Sequence, residues 1–160
     1  MRKSSSSVFF AIVFLMSLSL LADAQTGRKR VTSAEVTGTF KMNFLGKKFK
    51  DLSNRLDIMT IGDGKLRIAF DLLYPYTLHG GERSANLGNL SGEASIEGDT
   101  AIFESTEFGP CRVTIKFVRP GEVKVTQNGT DAECGFGHNV TTNGIYRKVN
   151  GRKPKFEALQ

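Results

Sequence analysis

Cys134 and His138 stand four residues apart in the stretch DAECGFGHNVTTNGIYRK, residues 131–148. A thiol beside an imidazole is the raw material of a nucleophile and its base. That chemistry needs a free thiolate, a group to orient the imidazole and an oxyanion pocket, and the sequence signals none of them. The chain holds only two cysteines, Cys111 and Cys134. In an exported protein such a pair reads as one disulfide, and a sulfur spent in that bond cannot attack a substrate. His79, in YTLHGG, is alone in a polar stretch and reads as an exposed side chain.

The other reactive residue types fare no better. Asp131, Glu133 and His138 could be imagined around a metal. Structural zinc takes four Cys or His ligands at recognisable spacing, and calcium loops need more oxygen donors in order. Glu93, Glu97, Glu104 and Glu107 cluster near one hairpin, and glycosidases do use paired carboxylates. Here Glu93 and Glu97 alternate with Ala94 and Ile96, which marks the water face of a strand. No catalytic residue, metal or cofactor is therefore expected. Gly135-Phe136-Gly137 reads structurally: two glycines allow a sharp backbone path that tucks Phe136 into the end of a barrel, beside a disulfide that fixes it.

The elements that must position this corner begin after an export signal. Arg2 and Lys3 precede an apolar run, Val8 to Leu21, broken only by Ser17 and Ser19, and Ala22-Asp23-Ala24 follows. This is a three-part secretory signal with cleavage expected after Ala24. The run falls short of the ~20 apolar residues a spanning helix needs, so the product is expected to be secreted or periplasmic and not membrane-spanning. What remains suits one domain: a basic tail over 25–34, a folded body over 35–149 and a disordered basic tail over 150–160.

Charge is concentrated at the ends, in Arg28, Lys29, Arg30, Arg147, Lys148, Arg152, Lys153 and Lys155. Between Val31 and Tyr146 twelve basic side chains face fourteen acidic ones. A nucleic-acid-binding domain carries its positive charge on the folded face, so no nucleic acid is expected. Basic ends on a neutral body suit solubility, or loose attraction to an anionic envelope polymer.

The body reads as strands. In RLDIMTI (55–61) Leu56 and Ile58 share a face, and in KLRIAFD (65–71) Leu66, Ile68 and Phe70 do; Gly62-Asp63-Gly64 joins the two runs as a hairpin. GEASIE (92–97) turns at Gly98-Asp99 into TAIFE (100–104), and CRVTIKF (111–117) turns at Pro120-Gly121 into EVKVT (122–126). Val36 to Met42 and Gly144 to Val149 supply an opening and a closing strand. Phe44 to Leu52 could be a helical turn, but Gly46 and the short length favour a hairpin extension. The polar run His79 to Asn89 reads as the longest loop.

About eight short antiparallel strands must pair as a sandwich or close into a barrel, and sequential hairpins favour an up-and-down barrel. Eight strands enclose an interior that side chains can fill or that holds one small ligand. If it is hollow, Phe40, Ile68, Phe70, Phe103, Ile115 and Phe117 are expected to line it. Asn89, Asn128 and Asn139 each open a glycosylation triplet, which matters only in a host that glycosylates exported proteins.

The segments YPY (74–76), GEASIEGDTAIF (92–103), CRVTIKFVRPGEVKVTQNGTDAECGFGHNV (111–140) and GIYRKV (144–149) resemble a group of small exported bacterial proteins of unassigned function. The chain is also similar in outline to calycin- or lipocalin-like barrels and to the small β-barrel inhibitors of lysozyme, without the motif that would transfer inhibitory residues. The resemblance implies export, a bacterial source and an all-β barrel with one disulfide, and no activity. The function expected is a non-enzymatic binding module for a small apolar ligand or an envelope component. The alternative is an inhibitor of a hydrolase such as lysozyme, acting through the 79–89 loop or the 135–143 corner.

Overall fold

A computed structural model describes residues 30–156; the cut expected after Ala24 and most of the basic N-terminal tail lie outside the described residues. Eight strands close into one antiparallel barrel: β1 (Gly38–Asn43), β2 (Ser53–Gly62), β3 (Lys65–Thr77), β4 (Arg83–Glu97), β5 (Thr100–Ser105), β6 (Cys111–Arg119), β7 (Glu122–Asn128) and β8 (Gly144–Asn150). Each strand pairs with the next, and β8 returns to β1. The Gly-Asp-Gly, Gly-Asp and Pro-Gly turns all fall between paired strands. Asp63 and the glycines at 62, 64, 98 and 121 take the positive φ that these tight connections require.

Alternation puts one side chain in two inside. Leu66, Ile68 and Phe70 on β3 and Val113, Ile115 and Phe117 on β6 all belong to the buried core, and the Phe70 and Tyr146 rings meet edge to face, 6.0 Å between centroids. The two ends of the barrel are closed differently. A single helical turn, α1 (Ser33–Val36), closes one. Thr32 caps it, accepting from the Glu35 amide while the Glu35 carboxylate accepts from the Thr32 amide. This turn lies where a tail and the start of a strand were expected; its last residue, Val36, is only 2% exposed and joins the core. The corner 131–140 closes the other end.

Two expectations about the connections differ from the structure. The loop expected over 79–89 shrinks to 78–82, where Gly81 N donates to Leu78 O and Leu78 N to Glu82 O. Residues 83–89 pair one for one with 71–77. Neither face of that ladder's outer end is buried, because β3 and β4 project beyond the rim of the barrel, so no alternation marks it. Phe44 to Leu52 is neither strand nor helix. It is a pair of turns closed by Phe49 N to Gly46 O and Leu52 N to Phe49 O, with Leu45 fully exposed. The described part of the C-terminal segment, residues 150–156, brings the Phe156 ring to 5.3 Å from the Arg67 guanidinium carbon.

Candidate functional site

The disulfide and its corner are built by local hydrogen bonds. Thr130 and Glu133 cap each other, the Thr130 amide donating to Glu133 Oε2 at 2.7 Å and the Glu133 amide to Thr130 Oγ1 at 3.2 Å. Cys134 N donates to Thr130 O and Phe136 N to Asp131 O, forming a single turn. That turn presents Cys134 to Cys111 at the start of β6, with Cα atoms 4.9 Å apart and the disulfide formed. Gly135 takes φ +73°, which a side chain would resist. Gly137 lies so close to β4 that an added Cβ would stand 2.8 Å from Leu87 O, the oxygen its own amide binds. Phe136, 7% exposed, and Val140, 1% exposed, point into the core.

Gln127 ties the corner to the strands behind it. Its amide group donates to the carbonyls of Gly129 and Thr130, and its oxygen accepts from the amide and hydroxyl of Thr142. Thr142 O in turn accepts from the buried Tyr146 hydroxyl at 3.1 Å, and burial pushes the Tyr146 phenol above its ordinary value, keeping it a donor. Asp131 accepts from the amides of Asn139 and Ala132, which hold its carboxyl below the ordinary value of 3.8.

A carboxyl depressed in the folded state contributes stability above its unfolded value and loses it as pH falls through the folded one. Thermal midpoints are therefore expected to drop as pH is lowered below about 3.8, and D131N is expected to remove that part of the drop. Identical acid profiles for D131N and the wild-type chain would refute this role.

Cys134 and His138 do not form a thiolate and its base. The Cys134 sulfur is bonded, and His138 is 82% exposed at its side chain, 3.7 Å from Asp131. The Glu133 carboxylate is taken by the Thr130 amide. Among the described residues no group of three or more His, Cys, Asp or Glu could hold a metal ion. Glu93 pairs with Lys65 at 3.4 Å and Glu104 with Arg112 at 2.8 Å on the outer face, each carboxylate answered by its own cation. His79 lies in the exposed turn beyond β3.

The six residues expected to line a hollow interior are brought together, but by packing. Phe40, Ile68 and Ile115 are 0% exposed, Phe70 1%, Phe117 4% and Phe103 7%. Space for a ligand among them would admit a water-sized sphere to their surfaces, and almost none reaches them. The interior is a filled core. Phe103 and Leu90 instead border a cavity of about 210 Å³ beside the disulfide, where β4 and β5 part after pairing over Ser95–Glu97 and Thr100–Ile102.

Sequence order hides the arrangement of charge on the outer face. The neighbouring strands β6, β7, β8 and β1 carry six outward basic residues and one acidic one, Lys148 being turned inward; β2 to β5 carry four basic and five acidic. The lone acid, Glu122, is answered by Arg119 at 2.8 Å and Arg147 at 3.1 Å, and Arg119 above all holds its carboxyl below the ordinary value. Lys41, Lys116 and Lys124 stand exposed among exposed Ile145 and Val149. Register makes the face continuous, since Arg55 pairs with Lys41, Lys41 with Arg147, and Lys124 with Lys116. This half of the barrel is the candidate functional surface.

The fold and this surface define a closed eight-stranded β-barrel with a packed core and a polarised outer face. No family model, no curated protein and no solved structure matches the chain. Among the described residues no helix is long and apolar enough to cross a membrane.

Proposed function

We propose that the chain is a secreted or periplasmic, non-enzymatic binding module for an anionic component of the envelope, held on the outer face of β6, β7, β8 and β1. The observation that carries this reading is the segregation of six outward basic residues and one acid onto four adjacent strands of a body that is nearly neutral overall. A one-signed face concentrates a counter-charged polymer and speeds its encounter. The filled core supports a surface site over an internal apolar ligand, and the export signal expected at residues 1–24 supports an address in or beyond the envelope.

The test is retention of the purified full chain on a polygalacturonate-coated sensor. Binding is expected at ~0.15 M salt and is expected to vanish at ~1 M, where the screening length falls from ~8 to ~3 Å. The triple variant K41Q/K116Q/K124Q, which leaves the Arg119 and Arg147 pairs with Glu122 in place, is expected to lose at least about tenfold in affinity. Unchanged binding by that variant, or binding indifferent to salt, would overturn the reading.

A further inference from the structure

Outward side chains cross β2, β3 and β4 in rows where those strands pair. One row is Arg55, Asp71 and Asn89; the next is Asp57, Ala69 and Ser91. The C-terminal segment returns over this face after β8. Its Lys155 and Phe156, with Arg67 against the Phe156 ring, close the rows into a groove of about 370 Å³. That size lies within the ~300–1,000 Å³ of small-molecule pockets.

The chemistry of the lining is specific. Asp57, 6% exposed, accepts from the Thr39 hydroxyl and pairs with Arg55 at 2.8 Å, so its charge is already answered within the groove floor. Arg55, Arg67 and Lys155 outnumber the two carboxylates, Asp57 and Asp71. Asn89 and Ser91 each offer both a donor and an acceptor. Ala69 leaves the middle of the floor open, and Phe156 supplies an aromatic wall. An apolar ligand would strand these polar groups without partners. A bare inorganic anion would use the cations and leave the ring and the amide idle.

We propose that this groove binds one carboxylated sugar ring, the uronic-acid type of unit. Each hydroxyl of such a ring both donates and accepts, as Asp71, Asn89 and Ser91 require. Its C–H face carries the weak positive charge that suits the negative face of Phe156. Its carboxylate suits a guanidinium, which can grip it with two parallel hydrogen bonds. Arg55 pairs with Lys41, and Lys41 with Arg147, so a chain of such units leaving the groove runs directly onto the basic face. The inference thus deepens the proposed function by naming the repeating unit; only that continuation rests on the polymer reading.

The test follows backbone amide shifts of the isotope-labelled full chain during titration with three probes: D-galacturonate, D-galactose and acetate. Galacturonate is expected to shift Ala69, Ser91 and Phe156 together and saturably in the millimolar range, galactose at least about tenfold more weakly, and acetate without saturation. F156L and R67Q, both outside the core, are each expected to weaken galacturonate at least about tenfold while leaving poly-L-glutamate on the basic face unaffected. Groove shifts that acetate reproduces, or the absence of groove shifts with galacturonate, would overturn the proposal. Galacturonate in the groove with no polyanion retained by the Lys41 face would sink the polymer reading alone. Polyanion retained without galacturonate in the groove would sink this inference alone.

Discussion

The double substitution C111S/C134S is expected to lower the thermal midpoint by about 12 °C. The bond closes a separation of 23 residues, and fixing a loop of that size removes roughly 3 kcal/mol of unfolded-chain freedom. A domain of this length loses about 4 °C per kcal/mol. The effect is also local. Cys134 sits in the turn that carries Phe136 and Val140 into the barrel end, and its partner begins β6. Without the bond, the corner is tied to the strands only by hydrogen bonds, chiefly Gln127 on the carbonyls of Gly129 and Thr130, Gly137 N on Leu87 O and the Asn86 amide on His138 O. Faster amide exchange is therefore expected at Phe136 and Val140 before the strands respond. Thiol titration of the native wild-type chain is expected to find no free sulfhydryl. Two free sulfhydryls in the folded chain, or a midpoint within about 3 °C of wild type for the double variant, would show that the corner stands without its brace.

Legibility in the sequence tracked burial. Where a strand has one buried face, as at Leu66, Ile68 and Phe70 or at Val113, Ile115 and Phe117, the period of two shows directly, and the Gly-Asp and Pro-Gly turns bound it. Arg83 to Leu87 is the outer end of β4, where neither face is buried, so it looked like a loop; its partner segment in β3 gave no warning either. The four-residue α1 is too short to carry a helical period, though Thr32 and Glu35 spell a capping box. The charged face was illegible for a different reason. Lys41 and Arg147 are neighbours only because β8 closes on β1, a pairing between the two ends of the domain that no local window contains. The groove has the same origin, since Phe156 reads as a stray aromatic in a basic tail until the chain is folded back over Arg67.

Lys148 carries the second large expectation, and it inverts the reading of that residue as a solvated end charge. Two positions beyond Tyr146 in β8, it shares the inward parity of that buried ring. Its ammonium donates to the carbonyls of Ala34 and Glu35 at 2.7 Å and of Thr37 at 2.9 Å, and lies 5.1 Å from the centre of the Phe40 ring. These carbonyls belong to the end of α1, where helical oxygens lack partners of their own. Burial pulls the Lys148 ammonium below its ordinary pKa; the three oxygens and the ring face are what answer the charge there. K148M keeps the aliphatic stem and removes every donor, so the cost is that of unpaired carbonyls near the barrel end. Each such group costs about 1–3 kcal/mol when fully buried, and less where water reaches it. A net loss of about 2 kcal/mol, or roughly 8 °C in midpoint, is expected. It should come with faster amide exchange at Val36 and Thr37, whose amides close α1 onto Thr32 O and Ser33 O. Arginine is not expected to rescue, because a planar guanidinium cannot bring one nitrogen to three converging oxygens. Wild-type exchange at Val36 in K148M would mean that Val36 alone holds α1 against the barrel and that the ammonium is incidental.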